Sequence, residues 1–166
     1  MPRLDRRSAV LFALGGQPLF YTTSVAARRM LPSGERVHVY LDVSGSMDAV
    51  KASLYGAVMD SAEYVHPVVH LFSTRIADIS LPELRRGICK STGGTDICCV
   101  ARHMETNRIR RALIITDGWV GTPRGQSART LSDTKLAIAF LGDEINKNDL
   151  AKVADFTGLL TQGERP

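Results

Sequence analysis

The residues best placed by type and spacing to do chemistry are Asp42, Ser44 and Ser46, in the stretch Asp42-Val43-Ser44-Gly45-Ser46. A carboxylate and two hydroxyls at alternate positions offer hard oxygen donors to one point, a set suited to Mg²⁺ or Mn²⁺ and, among hard ions, also to Ca²⁺. Gly45 is expected to let the backbone curve tightly between the two serines. Asp, Ser and Gly are also what ordinary turns and helix caps use, so these five residues alone leave both readings open. Two later segments bear on the choice. Ser91-Thr92-Gly93-Gly94-Thr95-Asp96 is a second hydroxyl-rich turn opening a helix, and Ala112-Leu113-Ile114-Ile115-Thr116-Asp117-Gly118 reads as a buried strand ending in a carboxylate and a glycine.

In this order the three segments resemble the metal-ion-dependent adhesion site of von Willebrand factor A domains, over roughly residues 36 to 162. The resemblance implies that Asp42, Ser44, Ser46, Thr95 and Asp117 surround one divalent cation, Mg²⁺ or alternatively Mn²⁺ or Ca²⁺. It also implies that one carboxylate stays back from the metal and leaves a position for an Asp or Glu of a protein partner. Function is then expected to be non-enzymatic and metal-dependent: a protein-interaction module of an intracellular prokaryotic-type member, working in a complex that includes an AAA+ ATPase. Met47, Trp119 and Arg124 are expected at the rim, with Trp119 an anchor for the partner or, alternatively, a cap folded back on the sheet edge.

Two other readings follow from different residues. The arginines of the first 36 residues, together with a resemblance to the domain of Ro-type ribonucleoproteins, suggest RNA binding, but they lack interleaved stacking aromatics. A metal-dependent phosphoesterase would need a second Asp where Ser44 stands. No general base is apparent: His38 and His70 fall within strands, His66 precedes Pro67, and His103 is expected on the outer side of a helix. All four histidines are read as structural or surface residues, and Asp96 as a helix cap.

Composition narrows the class. A chain of 166 residues with 44% hydrophobic residues supports a single domain with a full core. No apolar run is long enough for a membrane helix and no signal peptide is apparent, so a cytoplasmic protein is expected. The net charge of +4 is localised: residues 1–36 hold six basic and two acidic side chains, and the remaining residues hold fifteen of each. The basic excess belongs to the N-terminal stretch. Cys89, Cys98 and Cys99 lack metal-ligand or disulfide spacing and are read as free buried thiols.

The elements that must position these residues follow from hydrophobic period. Residues 1–36 are expected as a basic extension carrying a β-hairpin-like pair of strands and packing on the core, 37–162 as the domain, and 163–166 as a tail. Val37 to Leu41 predicts a strand, Asp48 to Tyr64 a helix, Val68 to Phe72 a strand, Ile76 to Ser80 an antiparallel edge, and Leu81 to Gly87 a short helix or turn. A helix follows Thr95-Asp96, then strands over Arg110 to Thr116 and Lys135 to Leu141. The connection between those strands is expected to be trimmed. A last helix opens at Asn148-Asp149, closed by Gly158, and a short strand follows over Leu159 to Thr161. Alternation of strands and helices predicts an α/β fold, a Rossmann-like doubly wound sheet in three layers, α/β/α. The resemblance implies the strand order 3-2-1-4-5-6, which sets the strands of Asp42 and Asp117 side by side at a topological switch point.

Overall fold

The computed structural model describes residues 36–88, 94–142 and 144–160. Its elements are β1 (His38–Asp42), a 3₁₀ turn (Gly45–Met47), α1 (Lys51–Asp60), β2 (Val68–Phe72), β3 (Ile76–Ser80) and α2 (Leu81–Arg85). These are followed by α3 (Ile97–Thr106), β4 (Arg111–Thr116), α4 (Gly125–Ser132), β5 (Lys135–Phe140) and β6 (Phe156–Leu159). The expected hairpin in residues 8–23 and the tail at 163–166 lie outside the described residues. Among the described residues no helix is long and apolar enough to cross a membrane.

The six strands form one sheet in the order β3-β2-β1-β4-β5-β6, parallel throughout except for the β2–β3 pair. This is the Rossmann-like α/β arrangement that strand–helix alternation predicts. Period-two alternation sorts each strand's side chains to the two faces of the sheet. On one face Val39, Leu41, Val69 and Leu71 pack with Leu54, Tyr55 and Val58 of α1 and Leu84 of α2. On the other, Tyr40, Phe72, Ile114 and Phe140 pack with Val100 and Met104 of α3 and Leu131 of α4. Connections from β1 and β4 therefore leave toward opposite faces, which opens a crevice beyond the carboxyl ends of these adjacent strands.

Local chemistry accounts for the boundaries. At α2, Ser80 and Glu83 form a reciprocal capping box with Pro82 in the first turn, so a five-residue helix is held at its start. The expected helix over Asp48 to Tyr64 is shorter, with a 3₁₀ turn ahead of it and turns after Ser61. The connection after Asp117 holds the eight-residue α4.

The expected last helix is absent: residues 148–153 form turns, and the final strand begins at Phe156 rather than Leu159. Asp155 explains the shift. Its N–H donates to the Leu136 carbonyl at 2.9 Å, and its carboxylate accepts from the Leu136 N–H at 2.8 Å. The chain is thereby drawn onto the edge of β5 before Gly158 can end a helix, and too few residues remain upstream to sustain one. Leu150 nonetheless keeps its inward place, fully buried.

Candidate metal centre

Asp42 is the last residue of β1, and Asp117 directly follows β4, the parallel neighbour of β1. Both carboxylates are buried, Asp42 at 0% exposure and Asp117 at 4%. Asp42 Oδ1 accepts from the Ser44 N–H at 2.9 Å and Oδ2 from the Thr116 hydroxyl at 2.6 Å. The Trp119 N–H donates to Asp117 Oδ1 at 3.0 Å. Among the described residues neither acid has a basic side chain within ion-pair range. Burial raises the Asp42 carboxyl above its ordinary range; the hydrogen bonds from Thr116 and Ser44 oppose the rise and the nearby charge of Asp117 adds to it.

The hydroxyls bear on the choice between a cap and a donor set. Ser44 stands at the N-cap of the 3₁₀ turn, but its side chain makes no capping hydrogen bond. Its Oγ lies 3.1 Å from that of Ser46. Six oxygens at about 2.1 Å around Mg²⁺ put neighbouring donors about 3.0 Å apart, so the serine pair already has the edge length of such an octahedron. At α3 the cap is Asp96, which accepts the Cys98 N–H at 2.9 Å. Thr95 is left free of that duty.

Backbone hydrogen bonds place the Thr95 loop. The Asp96 N–H donates to the Ser73 carbonyl, just past β2, and the Ile97 N–H to the Val120 carbonyl, three residues past Asp117, each at 2.9 Å. Since β1 lies between β2 and β4, this loop is tied to the chain just beyond both neighbours of β1. Asp42, Ser44, Ser46, Thr95 and Asp117 are thus all at the same end of the sheet. The donor set, five oxygens with two negative charges and no compensating cation among the described residues, fits a hard divalent ion.

Some expectations need correction. Met47 is fully buried among Val43, Val50 and Leu54, so it anchors the 3₁₀ turn to the core and is not a rim residue. Gly45 does not adopt a positive φ, and a Cβ there would meet nothing within 4 Å. The tight backbone position is instead Gly118, with φ +89°, where a Cβ would lie 1.9 Å from the Asn146 carbonyl oxygen. Trp119 is 59% exposed, with its indole N–H donating to the Glu144 carbonyl at 3.3 Å, and Arg124 is exposed ahead of α4. Both stand free of the core on the Asp117 side.

No protein-family model matches this chain, and no curated protein matches it.

The histidines are where sequence reasoning missed most. His103 is not on an outer surface: its side chain is 16% exposed and its Nδ1 lies 2.8 Å from the Tyr40 hydroxyl. The rings of His38 and His66 stack at 4.1 Å, those of His38 and His70 at 5.2 Å, and His70 and His103 lie 4.7 Å apart. All four histidines of the chain therefore meet. His70, Asp78 and His103 offer ligand atoms all within 4.8 Å of one another. The available signal was parity: His38 and Tyr40 share one face of β1, and a strand pairing in register would add His70.

Proposed function

We propose that the carboxyl-end site is a metal-dependent docking point for an acidic residue of a protein partner, as the von Willebrand factor A resemblance implies. The observation that carries this reading is the pair of buried carboxylates that have no basic partner among the described residues, beside two serine hydroxyls spaced as ligands of one hard ion. Ser44, Ser46 and Thr95 would hold Mg²⁺ through neutral oxygens. Asp42 and Asp117 would offset part of its charge, one of them standing back from the metal as the resemblance implies, and Thr116 and the Ser44 and Trp119 N–H groups fix how the two carboxylates point. Bound Mg²⁺ supplies a Lewis-acidic position that an incoming carboxylate can fill.

Three neutral ligands leave positive charge for that carboxylate to meet, which favours docking. Ser46 is exposed, so the site opens to solvent on that side. The exposed indole of Trp119, two residues from Asp117, offers apolar area next to the charged contact, the combination that concentrates binding energy at interfaces. The test is affinity capture with the full chain as bait in Mg²⁺, in excess EDTA, and with Asp42→Ala in Mg²⁺. Partners are expected only in the first. Equal recovery in all three would overturn the reading.

A further inference from the structure

The opposite end of β1 carries a second constellation, built across the sheet. Tyr40 pairs with His70 and His70 with Asp78, so three polar side chains form one row over β1, β2 and β3. Helix α3 packs on this face of the sheet and lowers His103 onto the row from above. His70 Nδ1 lies 2.7 Å from Asp78 Oδ1, and His103 Nε2 lies 3.7 Å from the same oxygen. Around a tetrahedral ion with bonds of about 2.0–2.1 Å, neighbouring ligand atoms are about 3.3 Å apart. The two distances fall on either side of that value.

The geometry points to a second metal site here, in which His70 Nδ1, Asp78 and His103 Nε2 bind a borderline divalent transition ion of the zinc type. Its strongest support is what the two rings do with their other nitrogens. His70 Nε2 lies 2.9 Å from His38 Nδ1, and His103 Nδ1 lies 2.8 Å from the Tyr40 hydroxyl. Metal-binding imidazoles are held in this way, with the far nitrogen anchored so that the near one is aimed and its tautomer set. The two near nitrogens converge on Asp78.

Access and donor type complete the case. The His70 side chain is 4% exposed and that of His103 16%, whereas Asp78 is 51% exposed, so an ion can enter from the edge strand and water can fill a remaining position. Two imidazoles and one carboxylate prefer Zn²⁺, Co²⁺ or Ni²⁺ over Mg²⁺, the reverse of the oxygen-only site at the other end of β1. Bound there, the ion would tie edge strand β3 to α3. This inference does not depend on the docking function.

The experiment is a titration of the untagged full chain with Co²⁺, followed by Zn²⁺ competition. One equivalent of Co²⁺ is expected to give visible ligand-field bands without sulfur charge transfer, and Zn²⁺ is expected to abolish them. Asp78→Asn and His103→Gln, both at partly exposed positions, are expected to lose the bands while circular dichroism stays native. Tyr40→Phe, which frees one anchored nitrogen, is expected to weaken Co²⁺ about tenfold or more. Absence of the bands, their persistence in both Asp78→Asn and His103→Gln, or thiolate bands that disappear when Cys98 is replaced by Ser would each overturn the proposal.

Discussion

The two ends of β1 hold side chains of opposite chemical character, oxygen donors at one and imidazoles at the other. At its carboxyl end Asp42 accepts from the Ser44 N–H and from the hydroxyl of Thr116, the last residue of β4. At its amino end His38 and Tyr40 join a cluster of imidazoles. His38, Tyr40 and Asp42 alternate along one face of the sheet, under the helix layer of α3. What separates the ends is how their partners arrive. The oxygen donors come from segments just past β1 and β4 and from the loop that opens α3, whereas the histidines are brought together by strand register and by the body of a helix. Turns tolerate sequence change without disturbing the core, and a register does not, since a one-residue slip turns every side chain to the other face.

The largest expected effect comes from breaking the carboxyl end at its backbone. Gly118→Ala places a Cβ against the Asn146 carbonyl and 3.0 Å from the Phe140 ring at φ +89°, and it should cost about 2–4 kcal/mol in urea unfolding. Gly45→Ala, three residues past the carboxyl end of β1 and in open space, should stay within about 0.5 kcal/mol. If both glycine variants unfold alike, the tight position has been placed on the wrong side of the site.

Acid should sharpen the contrast from the amino end. Burial, followed by the neighbouring histidines, holds His38 down to about 4 from an ordinary 6.5, and burial also lowers His70 despite its hydrogen bond to Asp78. For histidines depressed in the folded state, the unfolded chain binds the proton first. The metal-free protein is therefore expected to lose stability as pH falls from about 6.5 toward 4 and to gain none from these groups above 6.5. A thermal-melt series in EDTA measures this, and His38→Gln should flatten it. A Tm that rises on acidification would show that the cluster is not buried as described.

The smallest effect concerns the helix that spans both ends. Burial pushes the Cys99 thiol up to about 11, so at pH 8 it is almost wholly protonated and its alkylation in the native chain should be far slower than that of half-buried Cys98. Site-resolved mass spectrometry after brief iodoacetamide treatment reads the ratio. Equal labelling of the two would mean that α3 opens readily from the sheet.

The difference between the ends also explains what was legible beforehand. Asp42, Ser44 and Ser46 are contiguous, Asp117 follows an unmistakable apolar run, and both sit where parallel strands end, so local pattern and fold class placed them at the same end of the sheet. The strand order was implied by the family resemblance, and the antiparallel edge at β3 by the length and polarity of Ile76 to Ser80. Met47 was misplaced because a turn residue can point inward, and only the packing of Val43, Val50 and Leu54 around it fixes that. The last helix failed because Asp155 bonds to β5, a contact 19 residues distant that propensity does not register. The histidines are separated by up to 65 positions, and their meeting needs the Tyr40–His70–Asp78 register and the seat of α3 together.

The central claim is that one hard ion sits between Ser44, Ser46 and their carboxylate neighbours. Crystals of the full chain soaked in Mn²⁺ and measured for anomalous scattering test it most directly. The account predicts a peak at about 2.2 Å from the Ser44 and Ser46 hydroxyl oxygens, within the enclosure of Thr95, Asp42 and Asp117. A map with no peak there, or with Mn²⁺ only on His70 and His103, would contradict it.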